Sequence, residues 1–268
     1  MLQFCETSPC RGGETTPAFG MATIAIYSPK GGVGKTTLAV NLAWSASALS
    51  SRKVLVWDLD AQAAASYILS RDPHAHDEAK AVLEKDIDPR KLIIPTGRER
   101  IDLLPADRSI RGLDALFDSI DRKKRLLKLT ESLRRTYDHV MLDCPPGLGS
   151  ASDQIIRGAS IILVPMIPST LSRRTLEELK AHLNQHYKGG PPLYPVFNLV
   201  DRRRRAHREA IEQNPAFPVI PMASAAEEMA DRHAPLGAYA PRSAAAEATN
   251  ELWRALTRRF ASEPATAG

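Results

Sequence analysis

The sequence predicts an α/β fold, with a mostly parallel, twisted sheet covered by helices on both faces of a single domain. Two observations lead to this prediction. Apolar runs of strand length alternate along the chain with stretches of helical periodicity. Several of these runs, such as residues 161–165, are apolar almost throughout. Continuous rather than alternating apolarity is typical of strands that are buried on both faces of a parallel sheet.

The predicted elements follow in chain order. Short apolar runs predict strands at 23–27, 53–57, 100–105, 139–143, 161–165, 193–198 and 218–220. Apolar residues at helical spacing predict helices at about 35–49, 77–85, 112–136, 172–187, 203–213 and 243–261. Repeated strand–helix–strand units give parallel pairing, since parallel strands need a long crossover connection.

The two ends of the chain differ in composition from the rest. Residues 1–20 are rich in Gly, Pro, Ser and Thr and lack apolar periodicity. They also lack the basic start and apolar core of a signal peptide. We expect residues 1–20 to be a disordered or non-native extension, residues 21–262 to form the domain, and residues 263–268 to be a disordered tail.

Composition narrows the functional class. The net charge is +5 and the isoelectric point about 9.2, which hints at a polyanionic partner. No stretch reaches 18 apolar residues, so no transmembrane helix is expected. Cys5, Cys10 and Cys144 offer neither metal-ligand spacing nor a disulfide framework, and this favours a reducing, cytoplasmic environment.

A glycine-rich loop, KGGVGKTT at residues 30–37, joins the first predicted strand to the first predicted helix. In that context its backbone N–H groups and the helix N-terminus are suited to bind phosphates. The fold is therefore predicted to be a single P-loop NTPase domain. Lys35 is expected to contact the β- and γ-phosphates, and the Thr36 hydroxyl to contact Mg²⁺. The predicted nucleotide-binding residues of the loop are Gly31, Gly32, Val33, Gly34, Lys35, Thr36 and Thr37.

Carboxylates end two of the predicted strands. Asp143 follows the apolar run 140–142, and this pattern predicts a Mg²⁺-binding acid facing the phosphate loop. The alternative is a solvated aspartate at a strand end. Asp58 and Asp60 lie two residues apart, so in an extended segment they face the same way. They are candidates for organising Mg²⁺ and the attacking water, or else are turn-forming acids.

Basic residues are concentrated in one part of the chain. Residues 168–208 contain nine Lys or Arg against three acids. Such a cluster beside a nucleotide domain predicts contact with nucleic-acid phosphates, and the alternative is a solvated basic face. No aromatic platform is interleaved with these basic residues, so base stacking and sequence readout are not predicted. The candidate DNA-binding residues are Arg173, Arg174, Arg202, Arg203, Arg204 and Arg205, joined by Arg242 further along.

The last predicted helix carries Leu252, Trp253, Leu256 and Phe260 together with three arginines. One interpretation is a helix that lies on a membrane surface. The other is a terminal helix packed on the core. The polar residues after Phe260 favour core packing, because none of them can insert into a bilayer.

The loop variant with a second lysine, Lys30, resembles the deviant Walker A motif of the ParA/MinD ATPases. Further stretches are similar to a short ParA-type partition ATPase without an N-terminal helix-turn-helix. They are residues 58–62, 101–106, 137–147, 198–202 and 220–243, so that the resemblance spans about 21–262. It departs at Ala61, where the family usually has proline.

The resemblance implies ATP and Mg²⁺ as cofactors and a slow ATPase activity. It implies that Lys30 reaches the nucleotide of the other subunit in a sandwich homodimer, while Lys35 and Thr36 act within one subunit. Asp60 would position the hydrolytic water and contribute to the Mg²⁺ site, where Asp143 also serves. Asn198 would read adenine, near Pro221.

The resemblance also implies partners and a location. The ATP-bound dimer would bind DNA nonspecifically on the nucleoid, and a ParB-type centromere-binding protein would stimulate hydrolysis. Two alternatives remain open within the family. One is an ATPase that positions a protein cargo, such as a carboxysome or chemosensory array. The other is a MinD-like regulator on a membrane, which the polar C-terminus makes less favoured.

Overall fold

The computed structural model describes residues 21–70, 79–84, 87–119 and 124–262. Eight strands form one sheet in the order β3-β4-β2-β5-β1-β6-β7-β8, and every pair is parallel except β3 with β4. The strands are β1 Ala22–Ile26, β2 Val54–Asp58, β3 Ile94–Arg98, β4 Ile101–Leu104, β5 His139–Asp143, β6 Ile161–Met166, β7 Leu193–Val200 and β8 Val219–Pro221.

The described residues form eleven α-helices, of which the last three follow β8. They are α1 Lys35–Ser50, α2 Ala64–Leu69, α3 Ala79–Glu84, α4 Leu113–Ser119, α5 Arg125–Leu133, α6 Ser150–Gly158, α7 Thr170–His186, α8 Arg205–Gln213, α9 Met229–Arg232, α10 Leu236–Tyr239 and α11 Ala244–Ser262. In the part of the chain that the structure describes, none of these helices has the length and apolarity to cross a membrane.

The sheet divides the core into two layers. On β1, Ala25 faces one layer, where the buried side chains of α4 to α7 pack. Its neighbours Ile24 and Ile26 face the other, formed mainly by α1, α2 and α11. All five residues of β1 are buried, as they are in β2 and β5. The prediction of a parallel sheet with helices on both faces is therefore confirmed.

Several predicted boundaries need correction. The single helix predicted at 112–136 is wrong, because α4 ends at Ser119 and the backbone of Lys124, just before α5, is not helical. Sequence periodicity also missed β3 and the short helices α2, α6, α9 and α10. The strand β3 is a short antiparallel edge strand that contains proline and glycine, and these residues weaken a strand pattern. The predicted helix at 77–85 is observed as α3.

The closing helix α11 packs on the core through its apolar face. Leu252, Trp253 and Leu256 are fully buried. The indole Nε1 of Trp253 donates to Ser50 Oγ at 2.8 Å, and its ring packs edge-on against His139. Core packing, the second interpretation offered above, is the one observed. The extension 1–20, the tail 263–268 and the side chain of Phe260 lie outside the described residues.

Candidate nucleotide-binding site

The phosphate loop lies where the sequence predicted it, between β1 and α1, at the sheet edge formed by the carboxyl ends of the parallel strands. Gly32 and Gly34 have positive φ angles of 70° and 80°, which side chains with a Cβ adopt only at a cost. A Cβ on Gly34 would also collide with the side-chain amide of Asn198. This loop conformation therefore requires glycine at position 34 for two separate reasons.

Lys35 is the first residue of α1, and its side chain is buried under the loop. Its Nζ donates to the backbone oxygen of Lys30 at 3.2 Å. Burial lowers the pKa of Lys35, and the negative charges of Asp143 and Asp60 oppose that shift. The ammonium group is thus enclosed by the loop, with its counter-charges on neighbouring strands. A polyphosphate would offer it a much closer anionic partner.

Thr36 and Asp143 come together although 107 residues separate them in the chain. Thr36 Oγ1 donates to Asp143 Oδ2 at 2.7 Å. The other oxygen, Asp143 Oδ1, is buried and receives no hydrogen bond from any described residue. Burial, followed by the charge of Asp58, raises the pKa of Asp143 well above its ordinary value. A hydroxyl and an unpartnered buried carboxylate oxygen fit a Mg²⁺ ion, which prefers hard oxygen ligands.

Asp58 and Asp60 have different surroundings. Asp58 ends β2 and is fully buried, and it accepts hydrogen bonds from Ser66 N at 2.9 Å and Ser66 Oγ at 2.8 Å. Burial raises its pKa to about 6. Asp60 lies beyond the strand, half-buried, and accepts from Gln62 N at 3.0 Å. Because the strand ends at Asp58, the alternation of side-chain directions expected for an extended segment does not reach Asp60. Asp58 instead anchors α2 through Ser66.

The loop that follows Asp143 is tied to the phosphate loop. Gly147 N donates to Pro29 O at 3.1 Å, and the Tyr27 hydroxyl donates to Gly147 O at 2.6 Å. Cys144 is fully buried, and burial raises the pKa of its thiol well above the ordinary value. A buried neutral thiol is unreactive, in line with a structural role for this cysteine.

A cavity of about 190 Å³ opens between the loop that follows Asp143 and the segment that follows β2. Asp60 and Ala61 form one wall, Pro145 and Pro146 a second, and Asp114 at the start of α4 a third. Sequence reasoning missed Tyr27, Ser66 and Asp114, whose contacts at the site cross from one element to another. Such contacts depend on how the fold places elements that are distant in the chain, so no local sequence pattern predicts them.

The two predicted base-contacting residues are placed differently. Asn198 on β7 is buried beneath the phosphate loop and donates from Nδ2 to Val33 O at 2.9 Å. Pro221 ends β8, three strands away from β1 in the sheet order. Adenine contact by either residue stays a prediction, and the amide of Asn198 is directed at the phosphate loop itself.

The predicted DNA-binding arginines are exposed but form two groups. Residues Arg202 to Arg205 surround the start of α8, and Arg203 forms a two-pronged ion pair with Asp201. Arg173, on α7, instead contacts Gln213 Oε1 at the other end of α8, at 3.3 Å. Helix α8 has nine residues and is therefore about 13 Å long.

The remaining arginines of the set are also at the surface. Arg174 and Arg205 form helical ion pairs with Glu178 and Glu209. Exposed ion pairs of this kind contribute little to the free energy of unfolding. Their arginines can therefore leave the glutamates and pair with a stronger anion. Arg242 is exposed just before α11. The basic segment thus presents arginines at both ends of α8.

Comparison with known proteins agrees with this geometry. A family model described as an AAA domain matches residues 21–189. The sporulation initiation inhibitor protein Soj of Bacillus subtilis is 28% identical over 245 residues, covering 85% of this chain and 95% of Soj. The virulence plasmid ParA family protein pGP5-D of Chlamydia psittaci is 31% identical over 68% of this chain and 71% of its own length.

A solved structure extends the comparison to three dimensions. Cobyrinic acid a,c-diamide synthase from Mycobacterium smegmatis, crystallised with an ATP analogue and magnesium, superimposes with a TM-score of 0.74 at 25% identity. The match covers 91% of this chain and 98% of that one. Sequence, fold and loop geometry all lead to one assignment. The chain belongs to the ParA family of ATPases.

Proposed function

We propose that this chain is an ATP-dependent DNA-partitioning ATPase. ATP binding drives formation of a homodimer, the dimer binds DNA without sequence preference, and a ParB-type centromere-binding protein triggers hydrolysis and release. The cargo is a plasmid or a chromosome. One observation carries the proposal: the phosphate loop after β1 and the arginine loop after β7 lie at the same sheet edge, with only β6 between their strands.

The nucleotide chemistry is assigned to residues already brought together in the fold. Lys35 and the loop N–H groups hold the ATP phosphates, while Thr36 and Asp143 hold Mg²⁺. Bound Mg²⁺ supplies positive charge that offsets the developing charge on the phosphates. Asp60 holds the hydrolytic water. Its place on the cavity wall, and its electrostatic effect on Lys35 and Asp143, support this role.

The homodimer is assigned to the surface around Lys30. Leu148 and Leu171 are 57% and 69% exposed, unusually high for large apolar side chains. Both lie near Lys30: Leu148 follows Gly147, which binds Pro29 O, and Leu171 precedes Ser172, which lines a small hollow together with Lys30. A second copy placed there would cover both leucines and bring Lys30 to the partner's phosphates.

Location and membrane binding follow from the same features. We place the protein in the cytoplasm, associated with the nucleoid through its arginines. The apolar face of α11 is occupied by core contacts of Leu252, Trp253 and Leu256. That helix therefore has no free apolar face in its described part with which to bind a bilayer, and this supports DNA rather than a membrane as the track.

The deciding experiment measures DNA binding with ATP, with ADP and without nucleotide, across a salt series. We expect retention only with ATP, indifference to sequence, and a steep loss of affinity as salt rises, because each phosphate contact adds about −0.9 to the slope of log K against log salt. Absence of binding in every state, alongside normal ATP-dependent dimerisation, would redirect the search to a protein cargo or a membrane.

A matched pair of variants tests the surface. Arg202→Ala with Arg204→Ala removes two exposed charges, neither of which forms an ion pair among the described residues. We expect weaker DNA binding and a salt slope that is shallower by about 0.9 for each DNA phosphate that the variant no longer neutralises. Arg254→Ala with Arg258→Ala makes the same charge change on the exposed face of α11 and is expected to leave both quantities unchanged.

A further inference from the structure

Asn198 occupies an unusual place for a polar side chain. It lies near the end of β7, is only 3% exposed, and reaches under the phosphate loop from a neighbouring part of the sheet. Its Nδ2 donates to Val33 O at 2.9 Å and also lies 3.4 Å from Gly34 O. The amide nitrogen is thus already engaged by two consecutive backbone carbonyls of the loop.

These contacts lie along two consecutive peptide groups, and the oxygen of the second, Gly34 O, also accepts from Leu38 N at 3.0 Å at the start of α1. In a trans peptide the C=O and the N–H point in opposite directions. The oxygen of Val33 shares a peptide with the N–H of Gly34, and the oxygen of Gly34 shares one with the N–H of Lys35. When both oxygens turn towards Asn198, both N–H groups turn away from it. In a loop of this type, such N–H groups line the phosphate-binding concavity.

Gly34 makes this approach possible. Its φ of 80° and its lack of a Cβ let the side chain of Asn198 lie directly against the backbone. Gly34 and Asn198 therefore fit each other in size, because a residue without a Cβ in the loop leaves room for the short side-chain amide beneath it. A bidentate contact with adenine would need an amide N–H as well as Oδ1, whereas the Nδ2 of Asn198 is already directed at the loop.

We propose that Asn198 is a positioning residue for the phosphate loop. It holds the peptide group between Val33 and Gly34, and together with Leu38 N the next one, so that the N–H groups of Gly34 and Lys35 face the nucleotide phosphates. Its contribution to affinity is made through the polyphosphate and is indifferent to the base. The inference rests only on the nucleotide-binding part of the proposed function, so DNA or partner binding can fail without affecting it.

The test compares ligands that share phosphates but differ in base. Calorimetry measures the affinity of ADP, GDP and inorganic tripolyphosphate, each with Mg²⁺, for the wild type and for Asn198→Leu. We expect all three affinities to fall about tenfold and the ratio of ADP to GDP affinity to stay constant. A loss confined to ADP, with tripolyphosphate unchanged, would overturn the proposal in favour of adenine recognition. Unchanged affinity for all three ligands would overturn it as well.

A second variant separates the donated hydrogen from simple packing. Asn198→Asp keeps the size of the side chain but can donate only when protonated. We expect its affinity deficit, relative to wild type at the same pH, to be larger at pH 8.5 than at pH 6. An equal deficit at both pH values, in a variant whose introduced carboxyl is shown by NMR titration to change protonation between them, would refute a role for the donated hydrogen bond. The ratio of ADP to GDP affinity is taken within one variant, so a lower folded fraction cancels.

The chain offers a matched control for that substitution. Asn214 also donates its side-chain amide to a backbone oxygen, Ala210 O, at 2.9 Å, but at the end of α8. Asn214→Asp removes the same kind of hydrogen bond away from the loop. We expect nucleotide affinity within twofold of wild type at both pH values. A pH-dependent deficit in this control would show that the Asn198→Asp result is nonspecific and would remove its support.

Discussion

Thr36 Oγ1 donates a 2.7 Å hydrogen bond to Asp143 Oδ2, while Asp143 Oδ1 is buried with no donor among the described residues. One carboxylate thus has a satisfied oxygen and an unsatisfied one. An unpaired buried acceptor costs on the order of 1–3 kcal/mol. A cation that binds Oδ1 would offset this cost, and so the pair links metal binding to the stability of the fold.

The substitution Asp143→Asn tests that link. We expect this variant to lose Mg²⁺-dependent nucleotide binding, because the charge that attracts the metal is gone. The metal-free protein should be at least as stable as the wild type, since repulsion from Asp58 disappears. Thermal unfolding with and without Mg²⁺ and ADP measures both effects. A variant that still gains wild-type stabilisation from Mg²⁺–ADP would contradict the assignment.

The buried carboxylates also predict a pH dependence. The pKa of Asp58 is raised by burial to about 6, above its unfolded value near 4, and that of Asp143 is raised as well. The folded state therefore holds more protons than the unfolded state across this window. The stabilising contribution of Asp58 to the free energy of unfolding is therefore fully present below about pH 4 and is lost as the pH rises towards about 6.

Denaturant unfolding of the wild type and of Asp58→Asn across pH 4 to 7, without nucleotide, checks this prediction. The difference between the two proteins isolates Asp58 from other titrating groups. We expect the wild type to lose stability relative to the variant as the pH rises. A flat difference across the window would show that Asp58 has an ordinary pKa in the folded protein.

Gly34 and Gly31 form a matched pair for the loop. Gly34→Ala forces a Cβ into left-handed backbone and against Asn198, at a cost of about 1–2 kcal/mol for the backbone alone. We expect Tm to fall by roughly 5 °C without nucleotide. Gly31→Ala meets no atom within 4 Å, and its Tm should change by no more than about 1 °C. Equal shifts would contradict the structure of the loop.

Asp60→Ala probes hydrolysis while leaving Thr36 and Asp143 of the candidate metal site in place. We expect ATP binding to persist, because Lys35, Thr36 and Asp143 are intact, while turnover falls by at least tenfold. The ATP-bound form should then stay on DNA longer than the wild type. Single-turnover hydrolysis and a DNA-release assay measure the two effects. Normal hydrolysis by this variant would show that another group positions the water.

Removing the end of α11 distinguishes a structural helix from a membrane anchor. A chain truncated after Thr249 loses three fully buried side chains, Leu252, Trp253 and Leu256. Each such loss costs about 2–5 kcal/mol, and three of them together are about as large as the whole free energy of unfolding of a typical domain. We therefore expect the truncated chain to be unfolded by circular dichroism. A folded truncated chain that has lost binding to anionic liposomes would instead identify α11 as the anchor.

Local sequence patterns were enough for most strands and for the phosphate loop. The loop is a contiguous segment, so the spacing of its glycines, lysine and threonine within about eight residues was enough to predict its position. Asp143 could also be predicted from a local pattern, as an acid that directly follows a run of apolar strand residues. Two features were not predicted from the sequence. The edge strand β3 has only a weak apolar pattern, and the apolar pattern of α4 continues into α5, so that the break between these helices gave no signal.

The sequence by itself determined the class of fold, the position of the phosphate loop and the acid that ends β5. Tertiary structure alone decided that Asp58 binds Ser66, that Asn198 lies under Gly34, and that the arginines separate along α8. The physical reason is distance along the chain. Residues within one helix or strand interact through its fixed geometry, whereas Asn198 and Val33 meet only because the strand order brings β7 close to β1.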